Sequence, residues 1–328
     1  MKQVVHNEIG NPADVLHIED VPQVKLVAGE VRVNVLATPI HPSNLLQISG
    51  HYGVAPTLPA IPGAEGVGEV VEVAADVSHL SIGQTVMLPG GNGTWKQEIT
   101  GPAAGFIPLP AGADIQQLSM LTVNPITALL LLTTFADLKE GDWILQSAAN
   151  SAVGGYLVQL AKKRGIKTVN VVRRESAADE VRALGGDVVL IDGPDLNAQI
   201  KEATGDAKIM LAIDAVAGET FPRLVDALSY GGTIVSYGAL SMEGPVLSSI
   251  AVIFNDIRVR GFWLSQWFNV ASTEEKQAAF GEIIQLIASG AVRANVDATF
   301  NLDQITEAVT YAAKEGRTGK VLLTPNAA

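Results

Sequence analysis

Thirty residues in the middle of this chain, Gln146 to Glu175, run QSAANSAVGGYLVQLAKKRGIKTVNVVRRE. Trp143–Gln146 predicts a strand and Ser147–Gly155 a turn of small residues. A helix should follow, with apolar positions at Val153, Leu157, Leu160 and Ala161 in a 3.6-residue rhythm. It should stop at Gly165, a good C-terminal cap. Thr168–Val172 predicts a second strand, closed by Arg173 and Arg174, nineteen and twenty residues past Gly154. Strand, turn, helix and strand of this length make a dinucleotide-binding unit, whose small turn lets the backbone approach a pyrophosphate. An acid after the second strand would suit a ribose 2′-hydroxyl, whereas a guanidinium suits a 2′-phosphate, so the expected cofactor is NADP(H).

The glycines alone would not carry that reading. Only Gly154 and Gly155 remain of a strict G-x-G-x-x-G, with Ala149, Asn150 and Ser151 in the earlier places. The flanking strands, the spacing and the arginine pair add the weight. The turn nominates Asn150, Ser151, Ala152 and Val153 as cofactor contacts beside Arg173 and Arg174. The competing reading of the arginines is a solvated strand end.

At 328 residues the chain is longer than one core usually spans, so two domains are expected, and 48% hydrophobic residues suffice for both. A net charge of −12 with no long basic run leaves nucleic acid without an electrostatic footprint. The longest apolar run, Ile126–Leu132, is too short to cross a bilayer. The start, MKQVVHNEIG, reads as neither a signal nor a transit sequence, and a cytoplasmic enzyme is the expectation. The absence of cysteine excludes disulfides, thiolate zinc sites and a cysteine nucleophile.

The first hundred residues are rich in short β runs: Val31–Leu36, Val67–Val73 and Thr85–Leu88 predict strands between Pro- and Gly-bearing turns. From Asp114 the texture becomes helical, and Asn124-Pro125 suits an N-cap with proline in the first turn. Strands at Val188–Asp192, Ile209–Asp214, Thr233–Tyr237 and Ile257–Gly261 then alternate with helical segments at Ser176–Leu184, Leu196–Ala203 and Phe221–Leu228. That alternation calls for an α/β, doubly wound parallel sheet. The tail holds a predicted helix, Glu274–Ala288, and a final strand, Lys320–Leu323, and is expected to return to the first domain.

Gly63-Ala64-Glu65-Gly66-Val67-Gly68, followed by Ala74 and Val77, has the spacing of the zinc alcohol dehydrogenase signature, with alanine where the histidine ligand belongs. Zinc needs about four donors, and the spacing of His41, His51 and Glu65 fits no metal motif. The five histidines are therefore expected to be scattered surface side chains, and no metal is expected. The chain resembles the zinc-independent branch of the medium-chain dehydrogenase/reductase superfamily. Within it, HPSNLLQISGHYG (41–53), GNGTWKQE (91–98), LTVNPITA (121–128), ANSAVGG (149–155), NVVRRE (170–175), SYGAL (236–240), GFWLSQW (261–267) and TGKVLLT (318–324) stand in the order found in mitochondrial-type 2-enoyl thioester reductases. The resemblance covers nearly the whole chain, and GFWLSQW is its most specific element. It implies a GroES-like β-barrel catalytic domain at 1–123 and 263–328, and a Rossmann NADPH domain at 124–262. His41 and Asn44 depart from the asparagine and aspartate common in the family, and Arg174 replaces an acid.

The implied reaction reduces the C2=C3 bond of an enoyl thioester carried by CoA or acyl carrier protein. It needs a held nicotinamide, donors for a developing enolate and one proton donor. Tyr52, in a tight loop between Gly50 and Gly53, matches the family's proton donor; alternatively it anchors an aromatic patch. Trp263, with Phe262 and Leu264 beside it, brings a flat face and an N–H donor to a nicotinamide or acyl chain, or else fills a domain-interface core. By resemblance Asn124 and Lys320 also meet the cofactor, although a helix cap and a solvated strand start explain them equally. Tyr237, Gly238, Ala239 and Leu240 end a strand where open sheets place ligands. Lys162, Lys163 and Arg164 could meet an acidic carrier protein or simply complement a helix dipole. Apolar segments at the expected sheet edge predict a homodimer. An NADPH:quinone or other activated-alkene reductase, and a non-enzymatic NADPH sensor, remain competing readings.

Overall fold

The computed structural model describes residues 1–91 and 93–327; Asn92 of the GNGTWKQE stretch lies outside the described residues. The chain divides into two compact units, Met1–Val123 with Phe280–Ala328, and Asn124–Ala279. Residues 263–279, expected with the β-rich unit, go with the other one.

The first unit is built on a seven-stranded sheet. Its centre is the eleven-residue strand Glu30–Ile40, in which Val31, Val33 and Val35 are fully buried at a period of two. Val67–Val73 and Glu98–Pro102 pair antiparallel with it over most of its length. The tail returns here as expected: Lys320–Leu323 is buried throughout and pairs antiparallel with Thr38–Ile40. Two further tail elements, the strand Val296–Phe300 and the helix Ile305–Ala313, complete this side. Trp95, Ile305, Val309, Val321 and Leu323 share one core there, each large side chain worth about 1.5–3 kcal/mol on burial.

The second unit is a six-stranded, all-parallel sheet. Its order is Val188–Ile191, Lys167–Val172, Trp143–Gln146, Ile209–Asp214, Thr233–Ser236, Arg258–Gly261. Each expected strand of this unit is present. From Trp143–Gln146 the chain first adds strands to one side and then crosses to the other, so the topological switch point lies between Trp143–Gln146 and Ile209–Asp214. The helix Ala152–Lys163 starts at that point. Ser151 caps it, its hydroxyl accepting from Gly154 N–H at 3.1 Å, and Gly165 ends it at φ +66°. Val153, Leu157, Val158, Leu160 and Ala161 form its buried face.

At the far edge, all four residues of Arg258–Gly261 are exposed. The helix Ser249–Asn255 beside it in sequence exposes Ile250, Ile253 and Phe254 to about 70%. Its N-cap, Ser248, holds Ile250 N–H. The sequence marks this segment as apolar without a helical signal.

Candidate active site

In the second unit the switch point is built from backbone held by buried side chains. A Cβ on Gly154 would stand 2.5 Å from the carbonyl oxygen of Ala149, so only glycine lets the helix start this close to the turn. Ala148 enters the turn in the left-handed region at φ 47°. Below it, the buried Gln146 donates to Asn170 Oδ1 at 2.7 Å and to the Gly154 carbonyl at 3.2 Å, tying the two strands and the helix start together.

Asp214, fully buried at the end of its strand, accepts from the Ser147 hydroxyl at 2.7 Å and from the backbone N–H groups of Val216 and Ala217 at 3.0 and 2.9 Å. Ser147 in turn accepts from Ala215 N–H. A buried carboxylate with three donors is thereby satisfied, and it locks the loops after two strands that flank the switch point. Sequence reasoning missed Gln146, Asn170 and Asp214. Their only sequence signal is a polar residue inside an apolar strand.

The nominated residues of this unit fall into place around those loops. Asn150 is exposed, Ser151 and Ala152 are half-buried, and Val153 is buried. Tyr237 bonds the Ser151 side chain, and burial pushes its hydroxyl above the usual tyrosine range. Gly238 runs so close to the 215 backbone that a Cβ would meet the Ala215 oxygen at 2.9 Å. Leu240 N–H bonds that same oxygen, and Ala239 and Leu240 are exposed.

Arg173 and Arg174 close the Lys167–Val172 strand, both exposed, and the Arg174 guanidinium makes no hydrogen bond or ion pair among the described residues. A free guanidinium at this strand end fits a 2′-phosphate. Phe262 stacks edge-on with Phe135 at 6.1 Å. Trp263 is 44% exposed, which does not make it a core residue, and Leu264 is half-buried beside it.

Asn124 is the first residue of the helix Asn124–Thr134. Its side chain is 7% exposed, yet its amide nitrogen has no partner among the described residues. A helix cap would use the side-chain oxygen as an acceptor, so the unpartnered amide nitrogen leaves one buried donor that either role would still have to satisfy.

In the first unit, Tyr52 is half-buried at the end of a short helix, Pro42–Ile48. Its N–H and that of His51 both bond the Leu46 carbonyl. Gly50 makes the reversal at φ +77°, where a Cβ would strike Ile9 at 2.6 Å.

One expectation fails here. His41 and His6 are not surface histidines; each is 2% exposed. His41 Nε2 lies 2.7 Å from Glu65 Oε1, and its Nδ1 lies 3.0 Å from Lys320 Nζ. Lys320 is likewise buried, at 7% exposure, and not a solvated strand start. Glu65 is held at both ends: its Oε2 accepts from Thr122 and Val123 N–H, and its carbonyl accepts from the Thr38 and Thr94 hydroxyls. The sequence concealed this cluster because its members lie far apart along the chain.

Residues 27–111 match the alcohol dehydrogenase GroES-like domain family, and residues 152–289 match the zinc-binding dehydrogenase family. The mitochondrial enoyl-[acyl-carrier-protein] reductase of Rattus norvegicus is 34% identical over 99% of this chain and 88% of its own length. A putative NADPH:quinone reductase from Bacillus thuringiensis superposes with a TM-score of 0.90 at 31% identity, covering 98% of each chain. Etr1p, a 2-enoyl thioester reductase of Candida tropicalis solved with NADP and crotonyl-CoA, superposes with a TM-score of 0.89 at 26% identity, over 98% of this chain and 99% of that one.

The zinc in the second family's description has no fitting donor set here. Ala64 offers a methyl group, and His41 and Glu65 are bonded to each other with an ammonium on the ring's other nitrogen. Among the described residues no three His, Cys, Asp or Glu side chains come together as a metal site. No helix of the described residues is long and apolar enough to cross a membrane.

Proposed function

This chain belongs to the mitochondrial-type 2-enoyl thioester reductases of the medium-chain dehydrogenase/reductase superfamily, and from that premise we propose that it reduces the C2=C3 bond of trans-2-enoyl thioesters with NADPH. The likeness to an enoyl reductase over 99% of the chain carries the reading. NADPH, when bound, supplies a hydride to Cβ. Arg173 and Arg174 hold its 2′-phosphate, as charge-assisted bonds to a planar guanidinium do well. Asn150, Ser151, Ala152 and Val153 at the capped helix start receive its pyrophosphate. Tyr237 to Leu240, Phe262 to Leu264 and Asn124 bound the nicotinamide end.

As the Cβ–H bond forms, the electron pair of the double bond moves toward the thioester oxygen as an enolate, and Cα then takes a proton. Tyr52 donates it. Two backbone N–H groups bonded to the Leu46 carbonyl anchor the loop that carries its ring, and a positioned general acid contributes about 10²–10⁴ in rate. A substrate panel tests the assignment: crotonyl-CoA, longer enoyl-CoAs and quinones, each with NADPH and NADH. Crotonyl-CoA with NADPH should give the highest kcat/KM; a quinone preferred over every enoyl thioester would replace this reading with the quinone reductase suggested by the Bacillus thuringiensis likeness.

We also infer a homodimer through the Arg258–Gly261 edge. The exposed strand and the apolar Ile250, Ile253 and Phe254 support it, because an open apolar edge left uncovered invites aggregation. Light scattering showing only monomer would overturn it. Lys162 and Lys163 in the last turn of their helix, with Arg164 at its cap, are the cationic surface for an acyl carrier protein. Equal kcat/KM for carrier-bound substrate after charge reversal of the three would remove that role.

A further inference from the structure

Three ionisable side chains lie in a hydrogen-bonded row in the core of the first unit: Lys320, His41 and Glu65, exposed by 7%, 2% and 1%. Such a row is costly to bury, and apolar residues of similar volume often serve stability better. A role other than stability is therefore the better account of its presence.

The protons in the row can be placed. The Lys320 ammonium donates to His41 Nδ1, so Nδ1 carries no hydrogen, and Nε2–H donates to the Glu65 carboxylate. Burial and the Lys320 charge hold the imidazole's pKa below the usual histidine range, with Glu65 opposing. The second oxygen of Glu65 takes the N–H groups of Thr122 at 2.6 Å and Val123 at 2.9 Å, and Val123 runs directly into Asn124. One carboxylate thus governs two residues assigned above to the cofactor. It orients Lys320 through His41, and it anchors the backbone from which Asn124 starts.

We propose that His41 and Glu65 are positioning residues for the reduction, holding Lys320 charged and the Thr122–Val123 backbone fixed, so that turnover falls when Lys320 loses its proton. The proposal rests on the reductase reading above.

Burial lowers the Lys320 pKa to about 8, Glu65 opposes that fall and Arg317 adds to it. Arg317 is itself faced by Asp297 and Tyr311. The sign of the stability effect separates the two possible roles. Lys320 in the fold gives up its proton more readily than in the unfolded chain, where its value is 10.5. Between pH about 8 and 10.5 the unfolded chain holds more protons, so this group's contribution makes the fold more stable as pH rises. A positioning role therefore predicts an activity loss above pH 8 that the Lys320 titration does not accompany with unfolding.

The test is the pH profile of NADPH oxidation with crotonyl-CoA from pH 6 to 10, with Tm followed in parallel. It compares the parent with Glu65→Gln, His41→Asn and Lys320→Met. The parent should show an alkaline fall in kcat near pH 8. Glu65→Gln should move that fall to lower pH, because the charge that supports the ammonium is gone. It should also raise KM for NADPH and reduce kcat by about tenfold to a hundredfold, the scale of a small misplacement. Lys320→Met should be slow and lose the alkaline fall altogether. A fall that stays where it was in both variants, with only Tm reduced, overturns the proposal.

A second measurement needs neither turnover nor a folded variant of each kind. Nitrogen NMR of His41 in the intact protein, assigned against His41→Asn, should show a neutral ring with hydrogen on Nε2 at pH 6 and an Nδ1 shift with a midpoint near pH 8. A ring that protonates at the ordinary histidine pH, or an Nδ1 signal flat through pH 8, overturns the row itself. If crotonyl-CoA is not reduced but the NMR is as expected, it is the reductase reading that fails and not the row.

Discussion

The switch-point loops of the second unit and the buried row of the first, both given roles in the proposed reaction, are built in opposite ways. At the switch point, the parts that would meet a ligand are backbone and exposed guanidinium groups, supplied by about thirty consecutive residues. In the first unit the parts proposed to work are Tyr52 on one loop and a row assembled from His41, Glu65 and Lys320, which only folding brings together. Local geometry suffices to cradle an anion, because consecutive N–H groups at a helix start already point one way. Handling a proton needs groups of different ionisation placed against each other, and no short stretch of chain offers that.

The comparison breaks first at Tyr52. If the chemistry resides in the first unit, Tyr52→Phe should cut crotonyl-CoA turnover by about 10²–10⁴ while NADPH affinity and Tm stay near the parent's. Stopped-flow oxidation of NADPH measures it. A variant within about threefold of the parent, under ~1 kcal/mol of barrier, would strip Tyr52 of the role.

Next in size is the arginine pair. Replacing Arg173 and Arg174 by alanine removes two charged donors worth about 1.5–3 kcal/mol each. Kd for NADPH should rise at least tenfold to a hundredfold, with NADH and kcat little changed. Parent kinetics that already treat NADH and NADPH alike would show that the pair does not read the 2′-phosphate.

Two glycine exchanges sharpen the picture of the turn. Gly154→Ala puts a methyl group 2.5 Å from the Ala149 carbonyl, so stability should fall by about 1–3 kcal/mol and NADPH binding with it. Calorimetry showing the parent's Tm would mean that the helix start is not fixed by that approach. The smallest effect belongs to Ala148→Gly. Alanine at φ 47° is strained by roughly 1 kcal/mol, and relieving it should outweigh the extra freedom of the unfolded chain by less than ~1 kcal/mol. A lowered Tm would show that the Ala148 methyl group makes contacts worth more than the strain.

Periodic and short-range features are legible in the amino-acid sequence. All six strands of the parallel sheet, the helix Ala152–Lys163 with its Gly165 stop, and the arginine strand end follow from spacing. The elements it hides, Val296–Phe300 and the terminal strand Lys2–Val5, are short and exist because a neighbour covers them, and even Ile305–Ala313, whose Ile305, Ala308, Val309 and Ala312 repeat at helical spacing, is fixed by what it packs on. Ile305 and Val309, for instance, are buried against Val321 and Leu323.

By itself the sequence determined the fold class, the place of the dinucleotide turn, the pair of guanidinium groups that ends its second strand, and the lack of any thiolate ligand. Each is a matter of which residue types stand within about thirty positions, or of a type being absent altogether. Tertiary structure decided the rest. It buried His41 and Lys320, which composition would place in water, and left the Asn124 amide enclosed without a partner among the described residues. It also set Asp214 under the loops of the switch point. Burial and long-range pairing set the ionisation and orientation of these groups, and neither is a property of a stretch of chain: both depend on which distant residues exclude the water.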